Sequence, residues 1–463
     1  MDSVRRTKIL ATLGPSSNSP DLIKKLAAQG ADAFRLNLAH GTHEEHEKTV
    51  KAIRELSSKA AVVADIRGSK LRVGELPREG LLLEKGSKVI LDTGKAKYSG
   101  RAIPVPFPLR KSGIKKGGVI YLDDGMIMLE VKSVSPPRIV CEVVREGRLF
   151  SRKGVNIPGA TIAHPGASKR DKEDVLFGKK IGADYISLSF IASAEDVAQA
   201  RKLLEGSNAR IIAKIESQKS LEHLDEIIGA VDAVMIARGD LGLEIPLSEV
   251  PVKQREIMKK CRRAGVPVIV ATQMLASMMN MARPTRAEVS DVANAVFDLA
   301  DVVMLSGETA TGLYPVEAVK TMREIIEVSE KGSARNLFAR ETGTLPVNVA
   351  VAEAACRAAY EVRAKCIIAG TTTGFSARAV AKYRPSVPVI ALTGSVDVAR
   401  RLSLVWGVRT LYFKTERIEE AIKEALEYLK KKRELEKGDV VVYATGMKVG
   451  QVGGTNTMQV LVV

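Results

Sequence analysis

Short apolar runs alternate with longer amphipathic segments along most of the chain. Eight of these runs have the length of a buried strand, and most are followed by residues whose apolar positions recur with helical spacing. The eight predicted strands are Lys8–Leu13, Ala33–Leu38, Ala61–Asp65, Tyr185–Phe190, Ile211–Ile215, Ala233–Ala237, Val268–Thr272 and Val302–Leu305. Buried strands that alternate with helices predict an α/β protein built on a parallel (β/α)8 TIM barrel, with a doubly wound open sheet as the alternative.

Turn residues mark where the predicted helices begin and end. Capping residues predict helix starts at Ser19-Pro20, at Ser193 and at Thr285, where Glu288 completes a capping box. Glycine tolerates the left-handed backbone that commonly ends a helix. The predicted helix ends are Gly30, Gly182, Gly229 and Gly265. The segments that follow the first three of these glycines each contain an aspartate, which indicates one turn used repeatedly.

The interval between the third and fourth strands is too long for a single helix, and its pattern of apolar residues differs from that of the rest of the barrel. It contains short β-like runs divided by glycine and proline. These runs are Val73–Leu76, Lys88–Leu91, Val119–Leu122, Ile127–Val131 and Ile139–Val144. We therefore predict that residues 69–164 form a small inserted β-barrel domain at the carboxyl end of the third strand. Since barrel enzymes keep their chemistry at that end, the domain is expected to act as a lid.

Beyond residue 333 the alternation of strands and helices restarts with new spacing. Helices are predicted at Val349–Val362 and Arg417–Glu436. The predicted strands are Cys366–Ala369, Val387–Leu392, Val408–Tyr412, Val440–Tyr443 and Met458–Val462. This pattern predicts a doubly wound α/β domain over 333–463, which leaves 1–68 and 165–332 for the barrel.

A segment rich in hydroxyl groups lies between a predicted strand and a predicted helix of this last domain. Its backbone N–H groups and hydroxyls make it a candidate site for a phosphorylated effector. The residues concerned are Thr371, Thr372, Thr373, Gly374 and Ser376. Ordinary helix capping explains the same composition and is the favoured interpretation.

The composition limits the classes of partner. The chain has 463 residues and a net charge of +17, which favours anionic partners without separating nucleic acids from small phosphates. Aromatic residues make up only 4% and there is one tryptophan, so few side chains are available to stack on single-stranded nucleic acid. Nucleic-acid binding is therefore a weak alternative.

Nothing in the sequence indicates a membrane or a disulfide-rich protein. No apolar stretch reaches the roughly 18 residues of a membrane span, and no signal-peptide pattern precedes the first strand. The cysteines, Cys141, Cys261, Cys356 and Cys366, form no CxxC pair that would suggest zinc or a disulfide framework. We expect a cytoplasmic protein.

Charged and polar residues follow the carboxyl ends of most of the predicted barrel strands, where residues of barrel enzymes are catalytic. Lys214 and Glu216 alternate with Ile215, so both side chains point to the same side of their strand. Glu216 and Asp240 with Lys214 would hold a hard divalent cation and a phosphoryl oxygen together. The alternative is an ion pair that serves only the structure of the barrel.

Several motifs together resemble the pyruvate kinase family. They run through the barrel, are looser in the inserted domain and resume near the end of the chain. The motifs are Arg6-Thr7-Lys8 with Thr12-Leu13-Gly14-Pro15, Arg35-Leu36-Asn37 with His40-Gly41-Thr42-His43, Lys214-Ile215-Glu216, Ala237-Arg238-Gly239-Asp240-Leu241-Gly242, Ala271-Thr272-Gln273-Met274-Leu275, Arg283-Pro284-Thr285-Arg286-Ala287-Glu288, Met304-Leu305-Ser306-Gly307-Glu308-Thr309-Ala310, Lys382-Tyr383-Arg384-Pro385 and Thr455-Asn456-Thr457-Met458.

The resemblance implies transfer of the phosphoryl group of phosphoenolpyruvate to ADP, giving pyruvate and ATP. It implies that Lys214 contacts the transferring group and the enolate oxygen, and that Glu216 and Asp240 bind Mg²⁺ or Mn²⁺. The other implied roles concern substrates and proton transfer. They are phosphate binding by Arg35, binding of the substrate carboxylate by Gly239, Asp240 and Thr272, protonation near Thr272 supported by Ser306 and Glu308, and nucleotide contacts by Asn37, His40, Arg72 and Arg170.

Four positions depart from the family pattern. The family commonly has Ser, Thr and Glu where this chain has Ala39, Ile66 and Lys70. The first two changes remove side-chain oxygens that would bind a monovalent cation, and Lys70 brings an ammonium group, so the sequence predicts that K⁺ is not required. Glu45 replaces an aromatic residue near adenine, which puts stacking of the base in doubt.

Two other functions remain open at this point. One is a different barrel enzyme that acts on phosphoenolpyruvate or on the pyruvate enolate, such as a mutase or a dikinase fragment. The other is a basic RNA-binding protein on an inactive barrel. The resemblance to pyruvate kinases, and nothing else in the sequence, leads us to expect a homotetramer with an allosteric C-terminal domain.

Overall fold

The computed structural model of the chain describes residues 5–57, 59–68, 71–107, 109, 112–159, 169–332, 344–413, 418–446 and 454–463. The strands are β1 (Lys8–Leu13), β2 (Ala33–Asn37), β3 (Ala61–Asp65), β4 (Leu81–Leu83), β5 (Lys88–Asp92), β6 (Ile103–Pro104), β7 (Val119–Leu122), β8 (Ile127–Ser135), β9 (Arg138–Arg145), β10 (Gly147–Leu149), β11 (Val155–Asn156), β12 (Tyr185–Leu188), β13 (Arg210–Ile215), β14 (Ala233–Ala237), β15 (Val268–Ala271), β16 (Val302–Leu305), β17 (Cys366–Gly370), β18 (Val389–Thr393), β19 (Val408–Tyr412), β20 (Val440–Thr445) and β21 (Thr457–Val462).

The helices complete the secondary structure. They are α1 (Pro20–Gln29), α2 (His43–Leu56), α3 (Lys169–Lys180), α4 (Ala194–Leu203), α5 (Gln218–Glu222), α6 (Leu224–Ala230), α7 (Arg238–Glu244), α8 (Val250–Ala264), α9 (Arg286–Phe297), α10 (Gly307–Ala310), α11 (Pro315–Gly332), α12 (Val347–Glu361), α13 (Phe375–Ala381), α14 (Val396–Arg401) and α15 (Ile418–Lys431), with 3₁₀ turns at Leu247–Glu249, Ala276–Met279 and Leu402–Leu404.

Eight parallel strands close into a barrel in the order β1-β2-β3-β12-β13-β14-β15-β16, and β16 pairs back to β1. The prediction of a TIM barrel is confirmed and the open sheet is excluded. Alternate residues of each strand face opposite sides, so Ile9 packs among the helices while Leu10 points into the barrel. Leu10, Ile212 and Ile269 are among the side chains that fill the interior. The barrel is therefore a packed core rather than a pore.

One arrangement of hydrogen bonds recurs four times at the amino-terminal end of the barrel. An aspartate precedes each of β2, β12, β14 and β16, and it pairs with a residue at the start of the preceding strand of the barrel, which is β1, β3, β13 or β15. The aspartate carboxylate accepts the N–H of that residue, and the aspartate N–H donates to the carbonyl of the same residue. The four pairs are Asp32 with Ile9, Asp184 with Val62, Asp232 with Ile211 and Asp301 with Val268.

An arginine completes each of these four units. The same guanidinium nitrogen donates to the aspartate and to the carbonyl two residues before it. The arginines and their carbonyl partners are Arg5 with Gly30, Arg54 with Gly182, Arg201 with Ala230 and Arg384 with Leu299. Each unit thus ties one helix end to two strands, and we refer to the four as the aspartate clamps.

The aspartate clamps explain one wrong prediction. Gly30, Gly182 and Gly265 end their helices with positive φ angles of 114°, 65° and 69°, as the sequence indicated. Gly229 does not, because it lies inside α6, and the residue that follows this helix, Val231, has an extended backbone. The turn before Asp232 keeps the aspartate and the arginine of the clamp and dispenses with the left-handed glycine.

The inserted segment forms an all-β unit around one apolar core. Its described strands pair in a six-stranded sheet, β11-β7-β8-β9-β5-β6, and a two-stranded sheet, β10-β4. Leu83 and Leu149 of the smaller sheet pack into the same core as Leu91 and Leu129 of the larger one. The predicted strand Val73–Leu76 is wrong. Isolated bridges flank Gly74 instead, because its N–H bonds to Pro104 while the residues on either side pair with two different segments.

The last part of the chain forms a five-stranded sheet, β19-β18-β17-β20-β21, in which β21 alone is antiparallel. This confirms the predicted C-terminal α/β domain. It also seals the amino-terminal end of the barrel, where Leu404 joins the interior cluster and Tyr185 donates its hydroxyl to the Arg401 carbonyl at 3.0 Å. Lys8 donates to the Val408 carbonyl at 2.8 Å.

Two sequence expectations concern the chain as a whole. Cys141, Cys261, Cys356 and Cys366 are all free thiols in buried positions. Within the described ranges, no helix has both the length and the apolar character required to cross a lipid bilayer.

We expect Arg384→Met to lower the thermal unfolding midpoint by several degrees, because it leaves the Asp301 carboxylate buried without its cation. The side chains of Arg384 and Asp301 are only 3% and 4% exposed, and breaking such a pair typically costs about 3–5 kcal/mol. Differential scanning fluorimetry measures the shift. Arg255→Met is the matched control, because Arg255 is 67% exposed beside Asp298. Equal shifts in the two variants would show that the ion pair of Arg384 with Asp301 does not stabilise the contact between the C-terminal domain and the barrel.

Candidate active site

The carboxyl ends of the barrel strands bring together the lysine and carboxylates that the sequence singled out. Lys214 lies near the end of β13, and its Nζ donates to Ser189 Oγ at 2.8 Å. The same atom lies 3.2 Å from Glu216 Oε2 and 3.9 Å from Asp65 Oδ1. The period-two alternation of β13 therefore places Lys214 and Glu216 side by side, as predicted.

The charge of Lys214 is held in place by its surroundings. Burial by itself lowers the pKa of this ammonium, since a charged group loses hydration. The negative charges of Asp65, Glu216 and Asp240 outweigh that effect and raise the pKa above its usual value. Lys214 therefore stays protonated at neutral pH and presents a fixed, largely desolvated positive charge.

Glu216 accepts a backbone N–H through one oxygen and faces the Lys214 ammonium with the other. Its side chain is 1% exposed, and Oε1 accepts the N–H of Phe190 at 2.5 Å. Oε2 is buried and has no hydrogen-bond partner among the described residues. Burial raises the pKa of Glu216 to about 7, Lys214 opposes this shift and Asp240 adds to it. A buried carboxylate oxygen in this state suits a bound cation, which would restore the ionised form.

The acidic groups form a pair rather than a complete metal cage. In the ranges that the structure describes, no group of three or more His, Cys, Asp or Glu side chains is arranged to hold a metal ion. Glu216 and Asp240 lie close enough for the charge of Asp240 to act on Glu216. One or two carboxylates completed by substrate oxygens is the arrangement that Mg²⁺ commonly takes with phosphorylated ligands.

Arg35, at the middle of β2, is fixed by two neighbours from adjacent strands. Its Nε donates to Asp65 Oδ2 at 2.6 Å, and its Nη1 donates to Thr12 Oγ1 at 3.1 Å. Asp65 thus lies between Arg35 and Lys214. The result is a second positive charge held close to the lysine.

Thr272 and Gly239 are in direct contact. The N–H of Gly239 donates to Thr272 Oγ1 at 2.9 Å, and that hydroxyl donates to the Ala271 carbonyl at 2.6 Å. The structure therefore brings Thr272 to the start of α7, beside Asp240, as predicted from the sequence. A substrate carboxylate that uses the Gly239 N–H would replace this hydrogen bond.

Glu308 is engaged by the backbone on both sides. Its oxygens accept the N–H groups of Leu275, at 3.1 Å, and Ser306, at 2.7 Å. The side chain is buried, so it ties together the segments that follow β15 and β16. Ser306 Oγ is buried without a hydrogen-bond partner in the described part of the chain. Glu308 is thus placed to position the loops, while the Ser306 hydroxyl remains free to bind a water or a substrate.

The predicted nucleotide residues lie around the rim and make few contacts with one another. Asn37 accepts the Ala39 N–H through Oδ1, and His40 is exposed just beyond it. Arg72 is exposed and donates to the Arg152 carbonyl at 2.9 Å. Arg170 lies in the first turn of α3, so the four side chains are not joined in one contact network.

Glu45 has a structural role that the sequence comparison did not reveal. Its carboxylate accepts the Thr42 N–H at 2.8 Å, while Thr42 Oγ1 accepts the Glu45 N–H, which makes a capping box at the start of α2. Lys70, the proposed substitute for a monovalent cation, lies outside the described residues.

The candidate effector segment uses part of its polar groups internally. Thr371 Oγ1 accepts the Gly374 N–H at 2.9 Å, and Ser376 Oγ lies 2.6 Å from Thr455 Oγ1. Thr371, Gly374 and Ser376 are buried, whereas Thr372 is exposed and Thr373 is half-buried. The internal bonds match the capping interpretation, and the effector role stays a prediction.

Three functional contacts were missed in the sequence. Asp65 bridges Arg35 and Lys214, Ser189 accepts from Lys214, and the Phe190 N–H orients Glu216. Asp65 stood among the strand-end residues, but nothing in the linear pattern assigned it a partner. Ser189 and Phe190 follow β12, which pairs directly with β13, but the linear pattern does not show which side chains after β12 reach Lys214 and Glu216.

Comparison with known proteins agrees with this geometry. The model of the pyruvate kinase barrel domain matches residues 4–319, and that of the pyruvate kinase alpha/beta domain matches residues 349–461. The pyruvate kinases of Sporosarcina psychrophila and Geobacillus stearothermophilus are each 41% identical over 99% of this chain and cover 81% and 80% of their own lengths. The pyruvate kinase of Agrobacterium vitis is 41% identical over 99% of this chain and 96% of its own. These matches decide against the other phosphoenolpyruvate enzymes and the inactive barrel considered above: the chain belongs to the pyruvate kinase family.

Proposed function

We propose that the protein transfers the phosphoryl group of phosphoenolpyruvate to ADP, giving pyruvate and ATP in the last step of glycolysis, in the cytoplasm. The observation that carries the proposal is the buried Lys214 ammonium beside Glu216, whose second carboxylate oxygen has no hydrogen bond. Phosphoryl transfer is catalysed mainly by positioned charge, and this site presents such charge.

Lys214 and Arg35 act on the transferring group. Negative charge moves from the bridging oxygen of the phosphate ester to the enolate as the bond breaks, and Lys214 lies where that charge is stabilised. A positive group fixed in advance in a water-poor site does this without reorganisation at the moment of reaction. Asp65 keeps both cations in position, because it contacts Arg35 on one side and lies 3.9 Å from Lys214 on the other.

Glu216 and Asp240 would hold Mg²⁺ or Mn²⁺. The donor set fits a hard cation, since both ligands are carboxylates and Glu216 Oε2 is buried without a hydrogen bond. When bound, the ion supplies charge neutralisation for the phosphate and carboxylate oxygens of the substrates. The Phe190 N–H binds Oε1, which leaves Oε2, 3.2 Å from Lys214 Nζ, available to the ion.

Thr272, Ser306 and Glu308 serve the second half of the reaction, in which the enolate is protonated to pyruvate. The N–H groups of Gly239 and Asp240 bind the substrate carboxylate together with the Thr272 hydroxyl. Ser306, with its unpartnered hydroxyl, holds the water that delivers the proton. Glu308 positions Ser306 through its backbone N–H.

The nucleotide binds on the rim beyond Arg35, with Asn37, His40, Arg72 and Arg170 toward the phosphates and ribose. Because Glu45 is committed to the capping box of α2, base recognition does not rely on an aromatic side chain at that position. We further propose a homotetramer in which the C-terminal domain binds a phosphorylated effector at Thr371–Ser376. The internal bonds of Thr371 and Ser376 favour a weak effector response.

The site is also proposed to work without K⁺. Ala39 offers no side-chain oxygen, and Ile66 retains only a carbonyl that already accepts a hydrogen bond from Ser189 at 2.9 Å. In the sequence, Lys70 follows shortly after Ile66, and a lysine ammonium carries the same charge as the absent ion.

Lys214→Met should lower kcat by orders of magnitude while the dissociation constants of phosphoenolpyruvate and ADP change little. The reason is that the lost charge stabilises the transition state more than the ground state. A coupled assay of pyruvate formation and a direct binding titration separate the two effects. Lys260→Met, which removes a half-exposed surface lysine that pairs with Asp225, is the control. Turnover near the wild-type value in Lys214→Met would refute the assigned role.

Asp240→Asn should shift the Mg²⁺ titration of activity to higher concentration, because a neutral amide binds a hard cation less well than a carboxylate. The concentration of Mg²⁺ at half-maximal rate is the measured quantity. Asp225→Asn, which alters an exposed acidic residue on α6 instead, is the comparison. If the Mg²⁺ titration of Asp240→Asn matched that of the wild type, Asp240 would not be a ligand.

Activity in a buffer free of K⁺ and Na⁺ should equal activity after K⁺ is added, since the positive charge of the Lys70 side chain would replace that of the ion. Lys70→Glu should then create a requirement for K⁺. Initial rates in tetramethylammonium salts at constant ionic strength, with and without K⁺, measure both expectations. A wild-type enzyme that is inactive until K⁺ is supplied would overturn this proposal without affecting the proposed reaction.

A further inference from the structure

Two consecutive residues after β15 have an unfavourable backbone conformation. Thr272 and Gln273 have φ angles of +69° and +55°, and a non-glycine residue held in this region costs on the order of 1–3 kcal/mol. Thr272 is also β-branched, which makes the left-handed conformation harder to adopt. Such a segment keeps its shape only when surrounding groups impose it.

Arg238, the first residue of α7, supplies those groups. Its Nε donates to the Ala271 carbonyl at 3.2 Å, and its Nη2 donates to the Thr272 carbonyl at 2.6 Å and to Met274 Sδ at 2.8 Å. The side chain is 11% exposed. One planar guanidinium therefore contacts three residues of the strained segment.

The peptide that follows Arg238 holds the same threonine from its other side. The Gly239 N–H donates to Thr272 Oγ1 at 2.9 Å. Thr272 is thus fixed twice, through its carbonyl by Arg238 and through its hydroxyl by Gly239. Both contacts come from the loop after β14, so the relative position of β14 and β15 sets the direction of the Thr272 hydroxyl.

Arg238 is itself anchored from outside the barrel mouth. Its Nη1 lies 2.8 Å from Asp291 Oδ1 and 2.7 Å from Asp291 Oδ2, on the second turn of α9. A charge-assisted contact of this kind is stronger than a neutral hydrogen bond. A lysine could contact Asp291 or a single carbonyl, but it lacks the fork of donors that reaches all of these partners.

We propose that Arg238 is a positioning residue that acts through Thr272. By holding Thr272 and Gln273 in the left-handed conformation, and being held by Asp291, it fixes the hydroxyl and the adjacent N–H at the point where the enolate is protonated. The proposal rests on the proposed function for its effect on catalysis. Its structural half, the restraint of the segment 271–275, is independent of any reaction.

The catalytic test follows exchange of the methyl protons of pyruvate for deuterons in D₂O, with ATP and Mg²⁺ present, by proton NMR. The exchange reports proton transfer at the methyl carbon alone. Arg238→Met should slow it by about 100-fold, the loss expected when a reacting group is misplaced by about 1 Å. The KM for ADP should change less than twofold. Arg255→Met, on α8, is the matched control and should leave both quantities unchanged.

A double-mutant cycle tests whether Arg238 acts through Thr272. In the Thr272→Ala background, Arg238→Met should slow the exchange by less than threefold, because the group that it positions is already gone. Asp291→Asn should reproduce part of the loss with the arginine still present, and it serves if Arg238→Met fails to fold. An equal loss in both backgrounds, or wild-type exchange in Arg238→Met, would overturn the proposal.

Hydrogen exchange of the backbone separates this proposal from the proposed reaction. The amides of 272–275 should exchange at least tenfold faster in Arg238→Met than in the wild type, with the amides of α1 unchanged. That result would support the positioning role even in a protein without turnover. Unchanged protection of this segment would refute the role even if the protein proved to be an active kinase.

Discussion

The barrel depends on four aspartates that are buried or partly buried at its amino-terminal end, and each of them is stabilised because an arginine and two strands meet there. A buried carboxylate without partners would be protonated or would disrupt the fold. Asp32, Asp184, Asp232 and Asp301 avoid this by accepting a strand N–H and an arginine N–H at once. The four aspartate clamps fix the relative height of neighbouring strands, and so they fix which side chains reach the opposite end.

The carboxyl-terminal end of the barrel also pairs carboxylates with basic side chains, but there some carboxylate oxygens have no hydrogen bond. There Lys214 and Arg35 meet Asp65 and Glu216, but Glu216 Oε2 and Asp65 Oδ1 are buried without hydrogen bonds. The C-terminal domain takes part directly, since it contributes Arg384 to the last clamp and Leu404 to the barrel interior.

The sequence predicted the eight barrel strands nearly to the residue, because buried parallel strands are continuous apolar runs with a polar residue at the end. The sequence also predicted that Lys214, Glu216, Asp240 and Thr272 lie at one end of the barrel, since the carboxyl ends of parallel barrel strands all lie at that end. What it could not supply was the side-chain contacts between neighbouring strand ends, such as that of Ser189 after β12 with Lys214 on β13. The fourth clamp was missed because Leu299 (φ +68°), not glycine, precedes Asp301 in the left-handed conformation.

Phosphorus NMR of the wild-type protein with phosphoenolpyruvate, ADP and Mg²⁺ tests the central assignment most directly. The geometry of Lys214, Arg35 and the two carboxylates predicts that the phosphoenolpyruvate signal decays while the γ-phosphate signal of ATP grows in equal amount, with no release of inorganic phosphate. Loss of phosphoenolpyruvate with release of inorganic phosphate, or no change in the spectrum, would contradict the assignment of this site to phosphoryl transfer.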